Sequence, residues 1–321
     1  METEATIHLP DTAEGIRRAA DLLRAGRLVA FPTETVYGLG ADARNDLAVA
    51  RIFEAKGRPR FNPLIVHLPD AGAAAQVAQM NDAAERLAAA FWPGPLTLVL
   101  PLCARAGIAP LVTAGLPTVA IRVPAHPLAQ ALLRAFGGPV AAPSANPSGR
   151  ISPTRAAHVL AGLDGRIAAV LDGGACPVGV ESTILAVDGS GPPRLLRPGG
   201  LPVEALEACL GGPVALASPP SENAPIAPGQ LASHYAPRGA VRLNAAAPEA
   251  GEAFIGFGPG KTDLNLSPSG DLVEAAANLF HTLHAADAQA GPGGAIAVAP
   301  VPERGLGRAI NDRLRRAAAP R

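Results

Sequence analysis

Lys56 and Arg58 stand on either side of Gly57, and Asn62 and His67 follow within nine positions of the arginine. A lysine and an arginine so placed can grip a phosphate or a carboxylate, one as a compact point charge and the other as a planar fork. The same pair at a helix C-terminus can instead complement the dipole, a contribution of about 0.3–1 kcal/mol each, and the pair alone does not separate the two readings. Other stretches add to the count. TVAIRVPAHP at 118–127 sets Arg122 in a β-branched run, where a permanent charge needs an anionic partner from a ligand or from the protein itself. APSANPSGRISPT at 142–154 carries Ser144, Asn146, Ser148 and Ser152, while VESTIL at 180–185 and LLRPGG at 195–200 supply Ser182, Thr183 and Arg197. Several cations and many hydroxyls, with neither an acidic metal cage nor a nucleophile–base pair, suit phosphoryl or nucleotidyl transfer carried by positioning and charge neutralisation.

Other motifs fail on count or context. GFGPGKTD at 256–263 looks like a phosphate loop, but four intervening residues would put its first glycine at Ile255, and DLNLSPSG is no helix. GLGR at 305–308 has no strand directly before it, and His281 with His284 reads as a solvated helix edge rather than a metal pair.

The elements that must position these groups alternate. A helix from Asp11 or Thr12 to Ala25, with Ile16, Ala19, Leu22 and Leu23 on one face, is closed by Gly26. Strand 27–31 then delivers Pro32, Thr33, Glu34, Thr35 and Tyr37, with Gly38 and Gly40 read as a turn or a close approach to a ligand. Leu47, Ala50, Ile52 and Phe53 mark a helical face ended by Gly57, and strand 63–66 follows. Helices near 73–79, 82–91, 127–136, 154–163 and 203–209 are interspersed with strands near 96–100, 118–123, 140–142, 168–171, 182–187 and 194–196. The fold class is α/β, and adjacent strands without an intervening helix make the sheet mixed, with helices flanking it.

Residues 211–239 hold six prolines and little apolar periodicity, as a linker does, yet Gln230, Ser233, His234 and Tyr235 cluster there as if the segment touched something. Beyond it, 240–321 reads as a smaller Rossmann-like α/β domain, so the division is 12–210, a linker at 211–239, and 240–321. With 27 basic and 27 acidic residues among 321, no extended basic surface for nucleic acid is expected. Cys103, Cys176 and Cys209 are widely spaced and read as reduced, buried thiols. No stretch has signal-peptide or membrane-span character, so a cytoplasmic protein is expected.

PTETVYGLG, KGRPRFNPLIVH, IRVPAHP, PSANPSGR, ESTI and LLRPGG, in this order, resemble the threonylcarbamoyl-AMP synthases with a YrdC-like catalytic domain, over roughly residues 12–210. The HYAP segment and the small C-terminal domain resemble the two-domain branch of that family. The resemblance implies a twisted mixed sheet enclosing a large cavity. It also implies a nucleotidyltransferase that makes threonylcarbamoyl-AMP and pyrophosphate from L-threonine, bicarbonate or CO2 and ATP, for threonylcarbamoyl-adenosine in tRNA. Mg2+ would be held by the phosphates, and separate tRNA threonylcarbamoyl transferase proteins would take the product. Residue by residue, Lys56, Arg58, Ser144 and Asn146 resemble the catalytic tetrad. Thr35, His67, Arg122, Ser144 and Ser182 resemble the threonine pocket, and Arg58, Asn62, Thr118, Ala142, Ser152, Arg197 and Tyr235 the ATP contacts, with Tyr235 on a lid. Arg60, beside the site, receives no role. Two rivals remain at this stage. Carbamoyl transfer in hydrogenase maturation would require zinc fingers that three scattered cysteines cannot build, and an RNA-binding module without catalysis sits poorly with zero net charge.

Overall fold

The structure, a computed structural model, describes residues 5–189, 191–217, 227–229, 233–260 and 262–320. Eleven described strands form one sheet in the order Ile7–Leu9, Ala169–Leu171, Val29–Phe31, Gly38–Asp42, Val140–Ala141, Ile65–His67, Thr118–Arg122, Leu96–Pro101, Thr183–Ala186, Arg194–Arg197 and Ala215–Leu216. Pairing is mixed: Ile65–His67 runs parallel to Thr118–Arg122 and antiparallel to Val140–Ala141. Helices Ala13–Arg24 and Pro127–Phe136 pack on one face through Leu23, Leu128, Leu132 and Phe31, and a larger apolar cluster fills the other.

Capping chemistry sets the ends of the helices that frame the loops. The Thr12 side chain accepts from the Gly15 N–H, so the first helix begins at Ala13 and stops at Arg24, within a residue of the reading from sequence. Asn45 caps Asp46–Lys56 in the same way, and Gly57 ends it with φ 62°, a conformation that costs a glycine nothing. The buried face of that helix is Ala48, Val49, Ile52 and Phe53; Leu47, expected on it, is 73% exposed.

Gly38 and Gly40 do not form a turn. They lie in a strand, Gly38–Asp42, paired antiparallel to Val29–Phe31. A Cβ on Gly40 would stand 2.9 Å from the Phe31 ring and 3.1 Å from Val140, so the glycine makes room for an aromatic ring crossing the strand. Alternation of apolar and polar residues cannot reveal a strand whose side chains are missing by design.

A second sheet of four parallel strands, Ala240–Arg242, Ala295–Val298, Glu252–Gly256 and Leu264–Asn265, carries helices Leu272–Ala290 and Gly307–Ala318. Its core of Leu279, Phe280, Ile296, Ile310 and Leu314 continues without a break into Val36, Ile151, Val180 and Tyr235. The junction is close: Gly179 has φ 74°, and a Cβ there would meet the Ala276 carbonyl oxygen at 2.3 Å. Of the phosphate-loop lookalike, Lys261 lies outside the described residues, and a short strand rather than a helix follows it. Cys176 is buried as expected, but Cys103 and Cys209 are only partly so. Among the described residues no helix is long and apolar enough to cross a membrane.

Of the two histidines read as a solvated edge, His281 is exposed, whereas His284 is partly buried against another helix. His158, from the helix Ala156–Leu163, stacks on His284 with centroids 4.0 Å apart and on His281 at 5.6 Å, and the His284 Nε2 lies 3.2 Å from the Ser152 carbonyl oxygen. Burial, with the neighbouring rings, pushes His158 down to about 3, and burial brings His284 to about 4. Both pKa values fall below the unfolded value near 6.5, so their contribution is complete above that pH and is lost as pH falls, when the unfolded chain takes up protons the folded one refuses. The melting temperature should therefore drop between about pH 6.5 and pH 4, and less steeply in His158→Gln. A flat profile in scanning calorimetry, or an unchanged slope in the variant, would contradict this.

Candidate active site

The end of the helix Asp46–Lys56 turns its two cations inward. Lys56 is 3% exposed and donates to the Ser144 carbonyl at 2.6 Å and to the Asn146 carbonyl, tying the helix to the loop after strand Val140–Ala141. Arg58 is also buried and donates to the carbonyls of Asn62 at 3.2 Å and Pro63 at 2.8 Å. Neither side chain follows the solvent-facing course that dipole decoration would take. Burial, then Arg58, hold the Lys56 ammonium well below its ordinary value. Burial chiefly, with Arg197 near, brings the Arg58 guanidinium down to about 9, still charged at neutral pH. The side-chain amide of Asn62 is buried without a partner, as is the Asn146 Oδ1, whereas the Asn146 Nδ2 donates to the Pro147 and Arg150 carbonyls.

Sheet register assembles the opposite end. His67 pairs directly with Arg122 across parallel strands, so both project from one face, with Ile65 and Ala120 a step behind. Arg122 resolves the alternative left open by its sequence context: Nη2 lies 2.8 Å from Glu34 Oε1, a close ion pair, while the other Glu34 oxygen accepts from the Ala125 N–H. Burial, reinforced by Arg122, pushes His67 down to about 3, so it is a neutral imidazole, and its Nδ1 has no partner. Thr35 hydrogen-bonds Thr33 at 2.8 Å, both fully buried. From the far side Arg197 donates to the Ser182 carbonyl at 3.0 Å and to the Pro228 carbonyl at 3.2 Å, and the Ser182 hydroxyl lies 2.7 Å from that of Thr97.

These groups enclose a cavity of about 50 Å3 lined by Arg58, His67, Arg122, Ala142, Ser144, Ser182, Arg197 and Tyr235, together with Glu181 and the linker residues Pro228, Gly229 and His234. The large cavity anticipated from sequence is narrow here because linker side chains fill it. Tyr235, 1% exposed with φ 62°, and His234 are held by the Ala236 N–H donating to the Gly149 carbonyl and the His234 N–H to the Arg316 carbonyl. Gln230 lies outside the described residues. Thr35, Lys56, Asn62, Asn146 and Ser152 stand behind the lining rather than in it, and Thr118 is on the cavity face of its strand but at the end remote from Arg122. Ile65, Ala120, Ile184, Leu196 and Ala227 form an apolar patch along that face.

Sequence reading placed Glu34 at the end of its strand without a role and passed over Glu181 and Arg313. Glu181 accepts from the Ser152 hydroxyl at 2.5 Å and from Arg313 at 2.8 Å. Burial alone would raise its carboxyl, but Arg313, Arg197 and the Ser152 hydroxyl hold it below the ordinary value. Each acid of the cavity is therefore matched to an arginine, Glu34 to Arg122 and Glu181 to Arg313. Among the described residues of the lining, Glu181, paired with Arg313, is the one carboxylate, and Arg58 and Arg197 bring positive charge to the cavity.

Comparison with known proteins divides the chain near residue 200. The Sua5/YciO/YrdC family model, described as telomere recombination, matches residues 21–199, and one described as the C-terminal domain of threonylcarbamoyl-AMP synthase matches 201–319. A threonylcarbamoyl-AMP synthase of Bacillus subtilis (strain 168) is 49% identical over 255 residues, 77% of this chain and 71% of its own. One from Pyrococcus abyssi is 44% identical over 326 residues, 94% of each chain. The crystal structure of P. abyssi Sua5 complexed with L-threonine matches with a TM-score of 0.89 at 40% identity, covering 98% of this chain and 97% of that one.

An anion entering beside Lys56 should raise the affinity of its amine for a proton, which burial and Arg58 hold down. Calorimetric titration with inorganic pyrophosphate, in buffers of different ionisation enthalpy at alkaline pH, should show proton uptake that Lys56→Met abolishes. Binding without proton transfer, or uptake unchanged in the variant, would refute the assignment.

Proposed function

The chain belongs to the threonylcarbamoyl-AMP synthase family, and from that premise we propose that its cavity joins L-threonine, bicarbonate or CO2 and ATP into threonylcarbamoyl-AMP and pyrophosphate, for threonylcarbamoyl-adenosine in tRNA. Residues 12–210 act as the catalytic domain, 211–239 as a linker folding over it and 240–321 as a Rossmann-like companion. One observation carries the reading: a single cavity is lined by Arg58 and Arg197, with Lys56 behind them, and by Arg122 and His67, with Thr35 behind them, which we read as a phosphate end and an amino-acid end.

Arg122, pre-oriented by Glu34, takes the threonine carboxylate, while Thr35, Ser182, Ser144 and neutral His67 meet its hydroxyl and amine. The amine, once deprotonated, forms an N–C bond to CO2 as one C–O π bond opens to a carboxylate, and the second proton leaves the nitrogen for solvent, giving N-carboxythreonine. An oxygen of that new carboxylate attacks the α-phosphate, forming the O–P bond as the bond to the β-phosphate oxygen breaks and pyrophosphate leaves. Lys56, Arg58, Ser144 and Asn146 hold the reacting carboxylate and the phosphates in line, with no covalent enzyme intermediate. Arg58, Asn62, Ala142, Ser152, Arg197 and Tyr235 secure the nucleotide, and the apolar patch of Ile65, Ala120, Ile184 and Leu196, running toward Thr118, suits the base. Mg2+ arrives with ATP and balances phosphate charge. A cavity of about 50 Å3 falls far below the roughly 300–1,000 Å3 of small-molecule pockets, so Pro228, Gly229, His234 and Tyr235 must withdraw to admit ATP. The product then passes to separate proteins that modify tRNA.

Pyrophosphate release from ATP should require both threonine and bicarbonate; release indifferent to threonine would overturn the reading. Choosing threonine over serine rests on one methyl group, worth about 1–3 kcal/mol, so serine should be used at high concentration. Serine turnover below about a ten-thousandth of that with threonine would exceed what a methyl can supply and refute this account.

A further inference from the structure

We propose that Arg313, on the last helix of the C-terminal unit, is a positioning residue for the nucleotide end of the site, acting by neutralising Glu181 so that Arg197 stays available to phosphate. The proposal rests on the reading of that end as the ATP pocket. Arg313 is fully buried. Its Nε donates to Glu181 Oε2 at 2.8 Å, and its Nη1 donates to the Pro198 carbonyl at 2.6 Å and to Asp312 at 2.9 Å. The guanidinium carbon lies 5.4 Å from the centre of the Tyr235 ring. One side chain thus reaches two residues of the cavity lining, Glu181 and Tyr235, and two groups behind it. It meets the acid beside Ser182, the residue after Arg197 and the ring of the lid, and through the other Glu181 oxygen it reaches the Ser152 hydroxyl.

The geometry points to electrostatics rather than to packing. A buried ion pair adds little over apolar side chains of the same volume, so stability gives weak reason for it. The other arginines of the helix that pair across loops, Arg308 with Glu204 and Arg315 with Glu303, do so at the surface. Glu181 lines the cavity into which a triphosphate must come, and Arg197 is the next cation along that wall. Without Arg313 the carboxylate would stand uncompensated at the phosphate end, repelling the nucleotide and drawing Arg197 toward itself. Asp312 does not compete for this role, since it shares its oxygens between Arg313 and Arg316.

The test is steady-state pyrophosphate release by the full chain, with KM for ATP and for threonine measured separately, in Arg313→Met, Arg313→Lys, Glu181→Gln and the Arg313→Met/Glu181→Gln double variant. Arg313→Met should raise the KM for ATP by about tenfold or more and leave that for threonine within about twofold. Arg313→Lys, which keeps the charge, should stay within about threefold of wild type, and the double variant should recover most of the lost ATP affinity. Equal rises in both KM values, or a double variant no better than Arg313→Met, would overturn the proposal. Should Arg313→Met fail to fold, the double variant decides alone: a KM for ATP near wild type supports the charge argument and one raised about tenfold refutes it. Wild-type release independent of threonine would instead remove the reading of the site on which all this rests.

Discussion

Burying positive charge is the constraint around which this molecule is arranged. Lys56, Arg58, Arg122 and Arg197 are each 8% exposed or less, and a cation out of water needs oxygen around it. Two kinds of oxygen are used. Arg122 has the full charge of Glu34, whereas Lys56, Arg58 and Arg197 rest on backbone carbonyls of residues 62, 63, 144, 146, 182 and 228. Carbonyl dipoles fix a cation without cancelling it. The cavity is consequently close to neutral beside Arg122 and positive beside Arg58 and Arg197. The same carbonyls belong to the loops that end the strands, so the placement of charge and the course of the chain are one problem.

Much of this was readable from residue types. Capping residues and closing glycines marked helix ends within one or two positions, and the mixed character of the large sheet followed from neighbouring apolar runs without a helix between them. The polar clusters at strand ends do converge, with Arg58, His67, Arg122, Ser144, Ser182 and Arg197 around one space. What escaped did so for physical reasons. The strand Gly38–Asp42 carries no pattern because its glycines serve the ring of Phe31. Leu47 sits within an apolar spacing but points outward, since one turn of helix can be phased in more than one way. Arg313 is one of several arginines in a basic helix, and nothing local separates the one that is buried from those in solvent; its partner lies 132 residues away.

The linker shows how a segment without periodicity can still be specified. Its described residues pack against both units: Tyr235 lies near Phe280 of the second core, Pro228 accepts from Arg197, and Ala236 binds the loop of Gly149. Each contact is long-range in sequence; composition showed a proline-rich segment that touches something, but the strand Ala215–Leu216, which pairs with Arg194–Arg197 at the edge of the large sheet, carries no local signal. The cluster of His158, His281 and His284 is legible only in the same way, as a meeting of two helices far apart in the chain.

The apolar continuity between the two sheets makes the surface of one unit part of the core of the other. Val36, Ile151 and Val180 are surface positions of the large sheet's own unit, yet they are buried as core because Leu279, Phe280 and their neighbours cover them. A chain built from the large sheet alone would present these three side chains to water as one greasy face. Positions 36, 151 and 180 therefore tie the solvation of the larger unit's surface to the second unit that covers it.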